Sequence, residues 1–428
     1  MRMRYFSAAG LWLAFVTVFI WRMDPDFGWH LEAGRYILGH GVPARDIFSY
    51  TGASFPWIDH EWLSDVLTAG LMWAGGFWLV AGAFAAVWTA ALLVAARRIY
   101  WPVLAVGFAA VASDVVARPN AWSALGVALV ILGCARGWRW RLVGLFALWA
   151  NLHGGFVVGL LALAIVAVRR REYLLVFVGA VLATLVNPYG WRVYAEIWRT
   201  LADPALHGRV GEWAPLQLGV LTGFYVVLVL FVVVARGWRR WEYVLPAVLF
   251  GAAMNSLRHF PIFVVASLGL LTKGYEDLTK VLNAKSGWRQ YLLLSAATGL
   301  VLAPVYKIVR HPGNDFPTIQ VAALRDKPCS GNTFNDFDFG GYLIWQLPGK
   351  GVYIDGRMPS WADNGGNYFV RWQRVLDDPE YADSEFARYR VRCALVYAKR
   401  TRLIGQLEAE GWKASNRDSL AVLLRRPE

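Results

Sequence analysis

Charged residues are scarce in this sequence of 428 residues. Asp, Glu, Lys and Arg make up 17% of it, whereas soluble proteins carry about 25%. Hydrophobic residues make up 57%, and the 23 tryptophans suit the headgroup regions of a bilayer. Long apolar runs recur over most of the chain. The composition excludes an ordinary soluble globular protein and predicts a polytopic α-helical membrane protein.

Several catalytic motifs are absent as well. There is no Walker loop, no dinucleotide-binding glycine pattern after a strand, no zinc-type spacing of Cys and His, and no Gly-x-Ser-x-Gly elbow. Nucleotide-driven transport and serine hydrolase chemistry are therefore disfavoured. Only three cysteines occur, and Cys134 lies in an apolar run. Cys329 and Cys393 could pair, but their wide separation leaves that pairing open.

The basic residues indicate a topology rather than a nucleic-acid partner. The net charge is +13, but the arginines lie in short clusters between apolar runs, as in cytoplasmic loops. Arg2 and Arg4 precede the first run, which lacks a small-residue cleavage site, so we interpret it as an uncleaved span with a cytoplasmic N-terminus. About eleven spans are predicted, near residues 5–22, 63–96, 101–117, 120–135, 142–152, 154–168, 172–187, 215–235, 241–257, 259–272 and 290–308. The second run is long enough to hold an interfacial helix before its span.

This topology places the ionisable groups on one side of the membrane. The basic clusters fall inside, whereas all seven histidines and the polar breaks at span ends fall outside. The outer carboxylates are Asp24, Asp26, Asp46, Asp59, Glu61, Asp114 and Glu212. Ionisable groups near membrane depth are costly and usually line a shared cavity. We therefore expect Asp26, Glu61, His153 and Arg258 to converge on one outer cavity.

The first outer loop, residues 23–62, concentrates the candidate catalytic groups. Carboxylates and imidazoles can act as general bases, and carboxylates can bind a divalent cation such as Mg or Mn. The catalytic candidates are Asp26, Asp24, Glu61 and His60, and the metal candidates are Asp26, Asp59 and Glu61. The structural alternatives are a solvated loop with a turn at Asp24–Pro25 and an interfacial helix capped by Asp59.

Four basic or imidazole side chains are candidates for binding a donor phosphate. They are Arg35, Arg118, Arg258 and His153. A guanidinium group matches the geometry of phosphate. The alternatives are arginines that reach toward lipid headgroups and a satisfied histidine in a re-entrant turn. The segment 187–190 is interpreted as a turn that ends a helix.

After the last span, residues 311–428 read as a small extracytoplasmic α/β domain, separate from a helical domain at 1–310. The segments 333–337, 351–354, 394–397 and 420–424 predict strands, and 342–347, 368–376 and 402–410 predict helices. This alternation favours a mainly parallel sheet. Two strand ends deliver Asp and Gly into loops, where α/β sheets bind ligands. Asp338, Asp355 and Arg357 are therefore candidates for binding an acceptor, although turn chemistry also favours Asp and Gly.

The first loop resembles that of the GT-C membrane glycosyltransferases. The string Asp24-Pro25-Asp26-Phe27-Gly28-Trp29-His30-Leu31, with Arg35 and Gly41, is similar to the first loop of oligosaccharyltransferase catalytic subunits. The tail string 337–342, Phe-Asp-Phe-Gly-Gly-Tyr, loosely resembles their Trp-Trp-Asp-Tyr-Gly motif. The spacing after Asp26 differs, Arg35 comes later than the family's arginine, and the double tryptophan is absent. The pattern is closer to a bacterial branch of the superfamily.

The resemblance implies a function. It implies a polyprenyl-phosphate-linked sugar donor, transfer to a glycan, lipid or protein acceptor on the outer face of a prokaryotic inner membrane, and a first-loop Asp in catalysis or metal binding. Two alternatives stay open. A transporter or flippase of lipid-linked glycans requires polar residues on both faces, which the inner loops lack. A non-catalytic envelope scaffold would bind no polyprenyl phosphate.

Overall fold

The computed structural model describes residues 2–203, 206–281, 287–310 and 316–427. The chain divides into two compact units. The helical unit comprises residues 1–23, 71–194 and 204–313, and the loop–tail unit comprises residues 24–70, 195–203 and 314–428. The tail part of the loop–tail unit begins at residue 314, and the predicted domain boundary lies at 310. The first outer loop, however, groups with the tail rather than with the helical domain.

Helices account for most of the described chain. The α-helices are, in chain order, α1 (Arg2–Trp21), α2 (Phe27–His40), α3 (Trp62–Ala96), α4 (Trp101–Val111), α5 (Asn120–Arg136), α6 (Trp140–Leu152), α7 (Phe156–Arg169), α8 (Leu174–Ala183), α9 (Arg192–Leu201), α10 (Leu206–Arg209), α11 (Val220–Ala235), α12 (Val244–Asn255), α13 (Phe260–Val281), α14 (Gly287–Arg310), α15 (Thr318–Asp326), α16 (Gly340–Gln346), α17 (Tyr368–Asp377), α18 (Pro379–Arg388) and α19 (Thr401–Ala409).

Each predicted apolar run coincides with a helix, from α1 and α3–α8 to α11–α14. By length and composition, α3 is the one helix in the described residues that is long and apolar enough to cross a membrane. Several other apolar helices are only 10–17 residues long. The number of spans and the orientation of the chain therefore stay predictions, and His311 lies outside the described residues.

Helix α3 consists of two parts. Gly75 and Gly76 have non-helical backbone angles in its interior, and Gly76 has a φ of +66°. Glycine adopts this left-handed conformation without a steric penalty. The break divides the run in two, and an interfacial position for its first part stays a prediction.

The sheet of the tail is mixed rather than mainly parallel, so that prediction was wrong. The strands are β1 (Asn332–Asn335), β2 (Ala362–Asp363), β3 (Gly366–Asn367), β4 (Val391–Tyr397), β5 (Lys413–Arg417) and β6 (Ala421–Arg425). In the four-stranded sheet, with the order β1-β4-β6-β5, β1 runs parallel to β4 and the other pairs are antiparallel. Only three residues separate β5 from β6, and such a short connection makes a hairpin. Strand β5 had been missed.

Two further details concern the tail. The predicted strand 351–354 is not part of the four-stranded sheet, because its only ladder contact is an isolated parallel bridge from Val352 to Ser49. Cys329 and Cys393 form a disulfide, with their Cα atoms 6.1 Å apart. The bond joins the segment before β1 to the neighbouring strand β4. It answers the question, open from the sequence, of whether these two cysteines pair.

Candidate active site

The start of α2 and the start of α16 meet at two glycines. A Cβ added at Gly28 would lie 1.9 Å from the carbonyl oxygen of Gly341, and one added at Gly341 would lie 2.2 Å from that of Pro25. Phe27 packs edge-on against Trp345, with ring centroids 5.6 Å apart. Larger side chains at the two glycines would force these backbones apart. The resemblance strings 24–31 and 337–342 therefore touch within the loop–tail unit.

Asp26 lies against the tail segment that follows Ile354. A Cβ added at Gly356 would lie 1.8 Å from Oδ1 of Asp26. Asp26 precedes α2, but its side chain makes no capping hydrogen bond to that helix. Its own N–H instead donates to Oδ1 of the buried Asp24, at 3.0 Å. Asp24 thus shapes the turn, whereas the half-buried carboxylate of Asp26 is held beside a glycine backbone.

The second half of the first loop is bonded to the segment before Asp355. The N–H of Val352 donates to the carbonyl of Phe48 at 2.9 Å, and that of Tyr50 donates to the carbonyl of Val352 at 3.1 Å. The hydroxyl of Thr51 donates to the carbonyl of Tyr353 at 2.6 Å. These bonds fix the register between two segments that lie about three hundred residues apart in the sequence.

Beyond this register lies a buried ion cluster, which we call the Arg357 cluster. Nη1 of Arg357 lies 2.8 Å from Oδ1 of Asp46, and its Nε and Nη2 donate to the two carboxylate oxygens of Asp355 at 2.8 and 2.7 Å. Aromatic rings surround the guanidinium group, with centroid distances between 4.5 and 6.0 Å; they belong to Trp57, Phe48, Trp361 and Trp29. The cluster therefore fixes the segment 355–357, which includes Gly356.

The burial of Arg357, Asp46 and Asp355 indicates whether they have a structural or a ligand-binding role. The side chain of Arg357 is 3% exposed and those of Asp46 and Asp355 are 0% exposed. Burial alone would lower the pKa of Arg357, but Asp355 and Asp46 raise it above its ordinary value. Because these groups bind each other out of contact with water, Asp355 and Arg357 suit holding the loop better than binding an acceptor. Asp338 differs, since it is exposed and accepts a hydrogen bond from the Tyr397 hydroxyl at 3.0 Å.

His30 connects the start of α2 to the start of α3. Its Nδ1 lies 2.7 Å from Oδ1 of Asp65, and its Nε2 lies 3.6 Å from Oε2 of Glu61. Glu61 also lies 3.7 Å from Nε2 of His60, which is one-third exposed. Asp65 had been missed because it lies inside an apolar run that predicts a span. Its position four residues after Glu61, on one helix face, was the available signal.

Asp59 precedes α3 and is buried. Burial and, to a smaller extent, the nearby charge of Glu61 raise the pKa of its carboxyl to about 7, against the opposing effects of His60 and Arg357. In the described residues, no three His, Cys, Asp or Glu side chains are placed together to hold a metal ion. The metal-binding role of Asp26, Asp59 and Glu61 therefore stays a prediction.

Arg35 lies on α2 and is half exposed. It pairs with Glu32, three residues earlier, at 2.6 Å. Burial raises the pKa of Glu32, and Arg35 counteracts that rise. The predicted phosphate-binding role of Arg35 is not tested by this pairing, which is a common contact on a helix surface.

The helical unit holds the other two arginines that were predicted to bind phosphate. Arg118 Nη1 lies 2.8 Å from Oε2 of Glu212, and Arg258 Nη1 lies 3.6 Å from Oε1 of the same carboxylate. Burial alone would raise the pKa of Glu212, but Arg118 and Arg258 lower it below its ordinary value. We call these three residues the Glu212 cluster. The sequence placed Glu212 on the outer side but did not identify it as the partner of both arginines.

His153 is held in the turn between α6 and α7. Its Nδ1 accepts from the Gly155 N–H at 2.9 Å and lies 2.6 Å from the Ser123 hydroxyl, which in turn accepts from the Trp149 indole at 3.1 Å. Because a backbone N–H can only donate, Nδ1 carries no proton in this arrangement. A Cβ at Gly155 would lie 2.2 Å from the Ser123 oxygen. The geometry favours the structural interpretation of this histidine.

The segment 187–190 forms a turn after α8, as predicted. Asn187 donates to the carbonyls of Thr184 and Gly190 at 2.8 and 3.2 Å, and Gly190 has a φ of +56°. Asn151 donates to the carbonyls of Ala147 and Val186, both at 2.8 Å. The predicted convergence of Asp26 and Glu61 with His153 and Arg258 involves both units and stays a prediction.

The fold of the chain is similar to that of two solved proteins. The archaeal oligosaccharyltransferase AglB from Archaeoglobus fulgidus, in complex with an inhibitory peptide and a dolichol-phosphate, is 10% identical, with a TM-score of 0.61 over 92% of this chain and 69% of that chain. ArnT from Cupriavidus metallidurans bound to undecaprenyl phosphate is 14% identical, with a TM-score of 0.56 over 99% of this chain and 97% of that chain. Both are GT-C glycosyltransferases, so the predicted resemblance to that superfamily is confirmed at the level of the fold. No protein-family model matches the sequence, and no curated protein matches it.

Proposed function

We propose that this chain is a multi-pass membrane glycosyltransferase that moves a sugar or glycan from a polyprenyl-phosphate donor to an acceptor on the outer face of a prokaryotic inner membrane. The observation that carries the proposal is the placement of Asp26 against Gly356, with the Arg357 cluster fixing that segment. The fold likeness to AglB and ArnT supports it, because the solved structures of those proteins hold dolichol-phosphate and undecaprenyl phosphate.

Asp26 acts as the general base in this proposal. It accepts the proton of the acceptor group as that group attacks the anomeric carbon of the donor sugar, and the bond from that carbon to the phosphate oxygen breaks. Polyprenyl phosphate leaves with the bonding electron pair. A general base contributes about 10²–10⁴-fold to such a reaction. If a divalent cation, Mg or Mn, takes part, then Asp26, Asp59 and Glu61 are its candidate ligands, and the metal would supply charge that stabilises the leaving phosphate.

Arg118 and Arg258 are the proposed contacts of the donor phosphate, because fixed guanidinium groups stabilise the charge that develops on a phosphate leaving group. Asp338 is the proposed acceptor contact, since it is exposed. Asp355 and Arg357 are assigned to holding the loop that carries Gly356.

The test is transfer or hydrolysis of a polyprenyl-phosphate-linked sugar by the purified full chain in lipid nanodiscs. Asp26→Asn should slow cleavage of the sugar–phosphate bond by at least about 100-fold, because the amide cannot take up the proton. Glu408→Gln is the control, since Glu408 pairs with the surface residue Arg417 in the tail and lies outside the proposed site.

Unchanged cleavage in Asp26→Asn would contradict the assignment of the base. Transbilayer movement of the lipid-linked sugar without bond cleavage would favour the flippase alternative. A protein that neither cleaves nor binds polyprenyl phosphate would favour the scaffold.

A further inference from the structure

One carboxylate of the helical unit is held by two arginines at once. Arg118 and Arg258 contact different oxygens of Glu212, at 2.8 and 3.6 Å. The arrangement places two guanidinium groups on one carboxylate. A phosphate monoester, with up to two negative charges and several acceptor oxygens, matches two guanidinium groups better than a single carboxylate does.

The frame around Glu212 is fixed by its neighbours. The Arg258 guanidinium lies 4.4 Å from the ring centroid of the buried Trp213. The hydroxyl of Ser256 donates to the Glu212 carbonyl at 3.2 Å, and the N–H of Leu257 donates to the carbonyl of Ala214 at 2.8 Å. These bonds join the segment after α12 to the segment before α11. The Glu212 main chain and Arg258 are thereby held in place.

The cluster is also open to a ligand. The side chains of Arg118, Glu212 and Arg258 are 24, 33 and 32% exposed, respectively. The Arg357 side chain, by comparison, is 3% exposed. Exposed ion pairs contribute little to stability, so a stronger anion can replace the carboxylate.

We propose that Glu212 is an internal stand-in for phosphate: it occupies the two arginines when no ligand is present and is displaced when a phosphate monoester binds to them. This inference rests on the proposed function for the identity of the ligand, the phosphate of a polyprenyl lipid. It adds that Glu212 lowers the apparent affinity, because only the fraction of molecules with the carboxylate swung away can bind.

The test is direct binding to the full chain in detergent, without any measurement of transfer. Native mass spectrometry measures the Kd for polyprenyl monophosphate, with polyprenol as the ligand that lacks phosphate. Thermal stabilisation measures the effect of inorganic phosphate. Glu212→Gln should tighten the binding of polyprenyl monophosphate roughly five- to tenfold, because the competing charge is gone. Arg118→Gln and Arg258→Gln should each weaken it at least about tenfold.

The matched control is Asp277→Asn. Asp277 is also a carboxylate of the helical unit that pairs with two basic residues, Arg236 and Lys280. It changes the net charge of the protein by the same amount as Glu212→Gln, so it reports general attraction of anions. It should leave the Kd unchanged within about twofold. A melting temperature for each variant checks that it is folded, and Arg118→Lys tests whether charge without the planar fork suffices.

The outcomes separate the possibilities. Tighter binding of both inorganic phosphate and the lipid in Glu212→Gln supports a general phosphate site, and tighter binding of the lipid alone supports a headgroup site that also needs the chain. Unchanged or weaker lipid binding in Glu212→Gln, or an equal gain in Asp277→Asn, overturns the inference. If binding follows the proposal but Asp26→Asn retains full cleavage, then the catalytic assignment fails and the phosphate site stands.

Discussion

The Arg357 cluster and the Glu212 cluster both consist of guanidinium and carboxylate groups, but in opposite proportions. Arg357 is one guanidinium group between two carboxylates, excluded from water and surrounded by aromatic rings. Glu212 is one carboxylate between two guanidinium groups, about one-third exposed. The closed cluster pairs its charges out of contact with water, whereas the open cluster places two guanidinium groups within reach of a ligand.

The difference in exposure distinguishes a cluster that holds the structure together from one that can bind a ligand. A buried pair is costly to form and more costly to break, because removing one partner leaves a charge without compensation. An exposed pair is easily exchanged for another anion. Both clusters contain arginines that the sequence had assigned to ligands, and burial is the property that distinguishes their roles.

The largest expected effect is the loss of Arg357. Arg357→Gln removes the cation from Asp46 and Asp355, both fully buried, and should destabilise the protein by about 3–5 kcal/mol. Arg258→Gln removes a partly exposed cation and should cost only about 0–1 kcal/mol. The melting temperatures of the two variants in the same detergent measure the contrast. Equal losses would mean that burial does not distinguish the clusters.

The next effect concerns Gly356, which the Arg357 cluster holds against Asp26. In Gly356→Ala the new methyl carbon would lie only 1.8 Å from Oδ1 of Asp26. The carboxylate or the loop must therefore move. A displacement of about 1 Å at a catalytic group can cost about 100-fold in rate. We expect a loss of that size in kcat for donor cleavage.

Gly39→Ala is the matched control for this prediction. Gly39 lies in the last turn of α2, and nothing lies within 4 Å of a Cβ added there. Its activity should equal that of the wild type, and its stability should rise slightly, because alanine favours helix more than glycine does. Full activity in Gly356→Ala would show that Asp26 tolerates the shift and that the closed cluster has no positioning role.

Helices α1, α3–α8 and α11–α14 were predictable because each is an apolar run, and apolar length alone marks such segments. Helices α9 and α10 lie outside the predicted runs. Helix α2 was missed: residues 27–40 were read as part of an outer loop, since charged and polar residues interrupt the apolar ones. The orientation of the sheet was also missed, because it depends on which strands pair and not on the type of each strand.

The candidate site was predictable in part. Asp26, Gly341 and Asp355 were singled out by motif, yet their contact joins segments about three hundred residues apart, and no periodicity reports such a pairing. The sequence also did not distinguish an arginine that holds a loop from one proposed to bind phosphate. Arg258 and Arg357 look alike in sequence, and only the packing of aromatic rings around one of them shows which is closed.

The smallest expected effect uses pH to compare carboxylates from the two regions. Burial raises the pKa of Asp59 from 3.8 to about 7, so between these values the folded protein keeps a proton that the unfolded chain releases. Stability should therefore fall as the pH rises through this window. Asp59→Asn removes the titrating group, so its stability relative to the wild type should increase by about 2 kcal/mol between pH 5 and pH 6.5.

Glu212 has the opposite sign and supplies the control. Its pKa is lowered below 4.5 by the two arginines, so its contribution is fully present above pH 4.5 and is lost only as the pH falls through the folded pKa. Between pH 5 and pH 8 the stability of Glu212→Gln should thus change with pH as that of the wild type does, whereas the stability of Asp59→Asn should not. Melting temperatures over this range measure both. If the curve of Asp59→Asn is parallel to that of the wild type, then the Asp59 carboxyl is hydrated in the folded wild-type chain. The surroundings of Asp59 would then be more accessible to water than its burial indicates.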